Sequence, residues 1–359
     1  MLEKSEKRIL ILNLGSTSTK VAVYVGGQRL FSESIEHPSH ELEKFKSVWE
    51  QQEYRKGAIL EKIREKGIDL KSIDVISCRG SNIRPVPSGI YFVNEKMVED
   101  MRSGKYGLHA NNVGGCIAFE LGRDLNIPVI TLDPPKTDEF ENLARYSGLA
   151  LISRVSSFHA LNQKSTARKV AAQLGKRYED INLIVAHLGG GISVGAHKNG
   201  RVIDANNALD GDGPFSPERT GSLPVGALVR LCFSGQYSQD EILKMITGKG
   251  GLVSYLGTNS GREVEKRISA GDQHALEVFE AMAYQVSKEI GAAATVLKGR
   301  VDAIAITGSL ANSERLVGFI RERVAFIAPI FVCPGENEIE ALAEGALRFL
   351  NGEEGAREY

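Results

Sequence analysis

Two stretches of this chain carry the same order of elements, and that repeat limits the fold more than any other feature. In the first, an apolar run over 8–12 meets Asn13-Leu14-Gly15. Ser16-Thr17-Ser18-Thr19-Lys20 then leads into a second run over 21–25, closed by Gly26-Gly27. In the second, an apolar run over 183–186 meets His187-Leu188-Gly189-Gly190-Gly191. A run over 192–196 follows, and Asn199-Gly200 turns the chain toward Val202 and Ile203. Short apolar runs bounded by turn residues read as buried strands, and Asn-Gly between such runs is a hairpin signal. Asn13-Leu14-Gly15 superposes on His187-Leu188-Gly189. Two copies of one strand–hairpin unit imply two similar domains. Each offers a small-residue turn, and without a Cβ the glycines let a phosphate approach the backbone amides. Neither turn is a Walker A loop or a G-x-G-x-x-G; one copy alone would be an ordinary tight hairpin.

The totals agree with two soluble domains. The chain has 359 residues, 42% hydrophobic and 25% charged, enough for two cores of ordinary size. A net charge of −1 supplies no basic field to hold nucleic acid or an acidic membrane. Cys78, Cys116, Cys232 and Cys333 are far apart and form no C-x-x-C. That argues against a disulfide framework or a zinc site and for a reducing, cytoplasmic setting. No apolar run approaches membrane-spanning length, and the charged start is read as leading into the first strand rather than as a signal peptide.

Between the repeats, strands alternate with helices, which predicts an α/β fold. A broken amphipathic helix is expected over 39–66, closing at Gly67. A strand over 73–77 ends at Cys78-Arg79-Gly80-Ser81-Asn82, the kind of polar strand end where open α/β sheets place ligand groups. Helices are expected over 113–121, 139–149 and 160–174, and a strand over 127–132 ends at Asp133-Pro134-Pro135. Later helices are expected over 223–233, 239–247, 262–270 and 275–297, the last with one apolar face. A strand over 301–306 precedes Thr307-Gly308-Ser309-Leu310. A helix over 314–324, a strand over 330–333 and a helix over 340–350 complete the chain. Asp210-Gly211-Asp212-Gly213 has part of a calcium-loop pattern without its spacing, and is read as plain loop.

Together these motifs resemble the acetate kinase–butyrate kinase family of the actin/hexokinase/Hsp70-like ATPase superfamily. The resemblance spans nearly the whole chain. Its motifs come in the family's order: Asn13 to Lys20, the Arg79 turn, Leu108-His109, Leu132-Asp133, Phe158-His159, His187 to Gly191, Pro217-Glu218-Arg219-Thr220-Gly221, Thr307-Gly308-Ser309 and Asn337-Glu338. The His-Leu-Gly-Gly-Gly form resembles the butyrate kinase branch, where acetate kinases tend to show His-Leu-Gly-Asn-Gly. The resemblance implies two RNase H-like domains of the actin-like ATPase kind with the active site in a central cleft. Because the family's C-terminal helix returns to the first domain, it implies a domain of 1–136 plus 340–359 and a nucleotide-binding domain of 137–339. It also implies at least a dimer, ATP or ADP as substrate, Mg2+, and a short-chain carboxylic acid as the other substrate.

The family's reaction moves the γ-phosphoryl group of ATP to a carboxylate, reversibly. A carboxylate is already ionised at neutral pH, so no base is needed to make the nucleophile. The obstacle is two anions forced together, which cations and in-line positioning must overcome. Arg79 and Arg219 match the family's active-site arginines, whose forks bind carboxylate and phosphoryl oxygens; a surface ion pair is the bland alternative. His159 matches the histidine that donates to the phosphoryl group, and His109 and His187 match others on the phosphate path; helix capping or packing is the alternative. His37, His40, His197 and His274 have no motif and are read as structural. Asn13, Ser16, Ser18 and Lys20 match the first phosphate turn. Asp133 and Glu338, with Asn13, match the groups that organise Mg2+, partly through water. For Glu338 the alternative is a charge at a helix N-terminus. Gly189, Gly190 and Gly191 match the β-phosphate turn, and Gly308, Ser309 and Leu310 match positions near adenosine.

One departure bears on the acyl group. Where acetate kinases carry two valines after the first arginine, this chain has Gly80 and Ser81. Smaller side chains are expected to enlarge the acyl pocket, and each buried methylene is worth about 0.8 kcal/mol, so butyrate or a branched acid is expected over acetate. Leu108 and Phe158 are expected to line the same pocket, with core packing as the equal alternative. Competing expectations are an acetate or propionate kinase, a sugar kinase of the same superfamily using Asp133 as base, and a regulatory Hsp70- or actin-like ATPase.

Overall fold

The computed structural model describes residues 6–209 and 211–359; Asp210, and with it the calcium-loop pattern, lies outside the described residues. The chain forms two compact units, Met1–Thr137 with Asn337–Tyr359, and Asp138–Glu336. The strands are β1 (Arg8–Leu14), β2 (Ser18–Val25), β3 (Gln28–Glu36), β4 (Val75–Arg79), β5 (Ile90–Phe92), β6 (Val129–Leu132), β7 (Tyr146–Leu149), β8 (Ile152–Ser153), β9 (Asn182–Leu188), β10 (Ile192–Lys198), β11 (Arg201–Ala205), β12 (Ala303–Gly308), β13 (Ile330–Pro334) and β14 (Ala356–Arg357).

The first unit holds a seven-stranded sheet ordered β14-β5-β6-β4-β1-β2-β3, and the second a five-stranded sheet ordered β11-β10-β9-β12-β13. The repeat read from sequence is therefore a repeat of topology. In each sheet a three-strand antiparallel meander leads out from a central strand, β1 or β9. On the other side of that strand two parallel partners follow, β4 and β6 or β12 and β13. The central strands are apolar through their middles because both faces are covered: Ile9, Leu10, Ile11 and Leu12, like Leu183, Ile184, Val185 and Ala186, have no exposed surface.

Helices supply the covers. Helix Ala110–Leu125 packs Val113, Cys116, Ile117 and Leu121, at i, i+3, i+4 and i+8, onto the first sheet. It ends at Asn126, whose φ of 56° is the left-handed cap conformation. Helix Gln273–Val296 does the same in the second unit with Phe279, Ala283, Val286 and Ile290. Asn199 and Gly200, both at positive φ, close the β10–β11 hairpin as a two-residue turn of primed type.

The helix expected over 139–149 does not form. Only Asn142–Arg145 makes a short 3-10 turn, and β7 then pairs with β8 as an exposed hairpin. Gly148 sits at a φ of 94°, which a helix cannot hold. The preceding segment lies along β11 instead: Glu141 N donates to Ile203 O at 2.9 Å, and Val202 N donates to the Glu139 carboxylate at 3.0 Å. Two further helices, Glu95–Ser103 and Gly251–Leu256, form in stretches to which the sequence pattern assigned no element. The first carries legible signals, an Asn94 side chain capping Met97 N and Gly104 at positive φ.

One buried group makes the first unit acid-sensitive. His37 has 2% of its surface exposed, its Nε2 lies 2.8 Å from Thr19 Oγ1, and its buried Nδ1 has no hydrogen-bond partner among the described residues. Burial, together with the nearby Arg55 guanidinium, lowers its pKa to about 4. In the unfolded chain it titrates near pH 6.5. Between those values only the unfolded chain takes up the proton, so stability present above about pH 6.5 is lost as pH falls toward 4. The full contribution is about 3 kcal/mol. His37→Gln is expected to flatten the acid limb of a urea-midpoint-against-pH curve; an unchanged limb would place the sensitivity elsewhere.

Candidate active site

In the first unit the polar residues expected at the site gather at the C-terminal ends of the parallel strands, where open α/β sheets bind ligands. Asn13 is the penultimate residue of β1, Arg79 the last of β4, and Asp133 follows β6. Glu338, the first residue of helix Glu338–Leu350, joins them. Its Oε2 accepts from Asn13 Nδ2 at 2.8 Å, and its Oε1 pairs with Arg79 at 3.0 Å. Glu338 is thus more than a charge on a helix end: it orients the guanidinium of Arg79. Asp133 has a φ of 40°, unusual for a residue with a side chain. Its Oδ1 accepts from Ser88 Oγ at 2.6 Å and from Gly89 N at 3.0 Å.

The Gly15–Ser18 turn connects β1 to β2. Lys20 stands across the hairpin from Asn13, exposed. Ser16 Oγ lies 3.2 Å from His109 Nε2. His109 also caps helix Ala110–Leu125, its Nδ1 accepting from Asn111 N at 3.2 Å, so both the functional and the capping expectation describe the same ring. Nδ1 accepting places the ring proton on Nε2. Burial, with the Arg79 charge second, lowers the His109 pKa.

Beneath the turn lies Arg55, which the sequence reading passes over. It is fully buried on helix Gln52–Glu65. NH1 donates to Gly15 O at 3.0 Å, NH2 to Ser16 O at 2.6 Å, and Nε to Gln51 Oε1 at 3.0 Å. Drawing those carbonyls inward leaves the turn's hydroxyls and amides for an outside ligand. The available signal is a charged residue on the same stripe as Ile59 and Ile63.

In the second unit His187 is the penultimate residue of β9, the place Asn13 has in β1. Its ring stacks on that of His159 with centroids 3.8 Å apart and planes 14° apart. His187 Nδ1 lies 2.7 Å from Asn162 Oδ1, and His159 Nδ1 lies 2.8 Å from Ser193 Oγ. The Gly189–Gly191 turn follows. The Arg219 guanidinium lies against it: a Cβ on Gly191 would overlap Arg219, and Arg219 donates to Ala208 O. Ser216 Oγ donates to Gly190 O at 2.5 Å. Gly308, at the end of β12 with a φ of 90°, has no room for a side chain against the Leu188 carbonyl. The Gly308-Ser309 turn therefore adjoins the glycine turn.

The acetokinase family model matches residues 145–327, just over half of the chain. The chain belongs to the acetokinase family. The chain is a phosphotransferase of short-chain carboxylates with ATP as the expected phosphoryl partner. Solved structures share its fold. An acetate kinase from Porphyromonas gingivalis superposes with a TM-score of 0.79 at 18% identity, over 96% of this chain and 100% of that one. A propionate kinase from Francisella tularensis subsp. tularensis SCHU S4 gives 0.74 at 18% identity, over 94% and 98%. A ROK family protein from Streptococcus pneumoniae TIGR4 gives 0.52 at 13% identity, over 96% and 99%. The fold is the two-domain, actin-like ATPase fold.

The surroundings of Gly80 and Ser81 correct the expected pocket, and those of Phe158 and Leu310 narrow what these residues can do. Gly80 does not open a pocket, because a Cβ there would run into Pro134, whose own Cβ lies 2.7 Å away, and Pro135. Ser81 is buried and its hydroxyl is held by Asn111 O at 2.8 Å. Phe158 is a core residue, 5% exposed and clustered with Phe140, Ala144 and Val202. Leu310 packs its side chain into the core against Gly261, which leaves only backbone there for a nucleotide. Leu108 differs: it is 58% exposed beside His109. Among the described residues no helix is long and apolar enough to cross a membrane.

Proposed function

We propose that this protein transfers the γ-phosphoryl group of ATP reversibly to butyrate or a branched short-chain acid. The observation that carries the transfer itself is the Asn13–Glu338–Arg79 cluster. It holds a guanidinium in fixed orientation at the ligand end of the sheet, so its fork is preorganised for a carboxylate or phosphoryl oxygen. Preference for a longer acid rests on the Gly189-Gly190-Gly191 form of the second turn and on the exposed Leu108 beside the site. The filled space at Gly80 favours the second reading, an acetate or propionate kinase.

The proposed roles follow from chemistry. Arg79 binds the carboxylate and steers it toward phosphorus. Arg219 and His159 donate to the equatorial oxygens as charge spreads over them. His109 and His187 line the phosphate path. The hydroxyls of Ser16 and Ser18, Lys20, and the turns at Gly189–Gly191 and Gly308-Ser309 bind the polyphosphate and nucleotide. Asn13, Asp133 and Glu338 offer only oxygens, the donor type that suits Mg2+. Among the described residues no group of three or more His, Cys, Asp or Glu is placed to hold a metal. Mg2+ ordinarily keeps several waters and meets a protein through one or two carboxylates and the substrate phosphates. Asp133 and Glu338 would hold it, and when bound it would neutralise phosphate charge. We also propose a homo-oligomer, at least a dimer, in the cytoplasm.

ATP, hydroxylamine and a panel of acids decide between the readings, because an acyl phosphate is trapped as the hydroxamate. Butyrate or isobutyrate is expected to give kcat/KM about tenfold above acetate, as two methylenes at about 0.8 kcal/mol each allow. A preference for acetate establishes the second reading, and the absence of hydroxamate with every acid removes both.

A further inference from the structure

A chain of buried hydrogen bonds runs from the interior of the second unit to His159, and its directions are fixed by chemistry. Ser193, Gln163 and His197 have no exposed surface, and Tyr178 has 3%. Gln163 Nε2 lies 3.1 Å from the Ser193 carbonyl and 2.8 Å from Ser193 Oγ. A carbonyl only accepts, so the amide NH2 of Gln163 must face Ser193. Its Oε1 then faces His197 Nε2 at 3.0 Å, and that nitrogen must donate. His197 Nδ1 in turn accepts from the Tyr178 hydroxyl at 2.7 Å. Burial, and next the charges of Lys164 and Arg168, keep the His197 pKa well below its ordinary value, so the ring carries one proton.

The outer end follows. Ser193 Oγ receives an N–H from Gln163, and its own proton needs an acceptor. His159 Nδ1, 2.8 Å away, is placed to accept it. The opposite arrangement, with the proton on His159 Nδ1, would leave the Ser193 hydroxyl proton buried and unused, which costs free energy. The room for this chain is built in. Gly195, inside β10, carries no side chain, and a Cβ there would overlap Gln163 Oε1 and stand 3.2 Å from His197 Nε2. His187, stacked on His159, is fixed the other way. Asn162 Nδ2 donates to Glu336 O at 2.5 Å, which turns Asn162 Oδ1 toward His187 Nδ1, so that nitrogen carries the proton.

We propose that Gln163 and Ser193 are positioning residues that hold His159 in the tautomer with its proton on Nε2, so that a neutral imidazole presents an N–H to the phosphoryl oxygens. The tautomer follows from the hydrogen bonds alone; its use in catalysis rests on the proposed role of His159. The stacked pair then carries opposite tautomers. A donor that needs no prior protonation avoids placing two cationic rings face to face.

Nitrogen-15 spectra of the histidine-labelled protein above the imidazole titration range test the assignment, with His159→Gln and His187→Gln spectra identifying the two signals. His159 is expected to show a protonated Nε2 and a bare Nδ1, and His187 the reverse. Ser193→Ala and Gln163→Leu are expected to shift His159 toward the Nδ1 proton. They should lower kcat about ten- to a hundredfold, the usual cost of losing a partner that orients a functional group, with KM for ATP and acid within about twofold. Ser193→Thr keeps a hydroxyl and is expected to keep the tautomer. A wild-type His159 protonated on Nδ1 overturns the hydrogen-bond chain, whatever the kinetics. Full kcat in His159→Gln overturns the role at the phosphoryl group, whatever the spectrum.

Discussion

Arg219→Ala is expected to lower kcat about a thousandfold, roughly 4 kcal/mol of transition-state stabilisation, with far smaller changes in KM. Arginines that meet a transferring phosphoryl group are worth that much or more, because their charge matters most when charge spreads over the equatorial oxygens. Arg219→Lys is expected to recover little, since an ammonium cannot reproduce a planar fork. The geometry adds a sharper expectation. The guanidinium rests on Gly191, where a Cβ would overlap it, and it donates to Ala208 O. Gly191 lacks a positive φ, so alanine meets no left-handed backbone strain there; its Cβ would run first into the Arg219 guanidinium and then, at 2.9 Å, into the Ala208 carbonyl that the guanidinium binds. Gly191→Ala is therefore expected to cost nearly as much as Arg219→Ala. Guanidinium ion added to the assay is expected to restore part of the rate in Arg219→Ala and none in Gly191→Ala. Full activity in Gly191→Ala would show that Arg219 does not work from the position it occupies.

The parts of the site that read clearly from sequence are those the backbone itself makes. The repeated strand–turn–hairpin announces both sheets because small residues and Asn-Gly have few other uses between apolar runs. The topology then puts Asn13 and His187 at matching strand ends. Side-chain neighbourhoods were less legible. Gly80 and Ser81 suggest space by their size, yet Pro134 occupies one and Asn111 O holds the other; size at one position says nothing about what moves into it. Helix Ala160–Gln173 buries a polar run, Asn162 to Thr166, which no apolar stripe predicts. Three of those polar residues have polar partners inside: Asn162 meets His187, Gln163 reaches His159 through Ser193, and Lys164 meets Glu139 at 2.6 Å. The segment at 139–149 reads as a helix from composition, but capture of Glu139 by Lys164 and Val202 N draws it along β11.

Arg55→Met is expected to damage both the stability of the first unit and its phosphate turn, by separable amounts. Among the described residues Arg55 makes no ion pair; its partners are the carbonyls of Gly15, Ser16 and Ser18, Thr19 Oγ1 and Gln51. Burial lowers its pKa, yet an arginine stays charged in a protein. A positive charge thus sits behind the turn, balanced only by dipoles. Methionine keeps the apolar stem packed beside Ile59 and Ile63 but deprives the carbonyls of donors. At about 1–3 kcal/mol for each unsatisfied buried group, and with partial access of water to the turn, the loss should be about 3 kcal/mol. Arg55→Lys retains the charge but has three donors in place of five, so it should recover part of the binding and little of the rigidity. If the buried charge assists binding of the polyphosphate, KM for ATP rises about tenfold more in Arg55→Met than in Arg55→Lys. If Arg55 only ties down the turn, the two variants should weaken ATP alike while differing in urea midpoint. Unchanged kcat/KM in Arg55→Met would mean that the turn keeps its shape without the guanidinium and that its carbonyls find water instead.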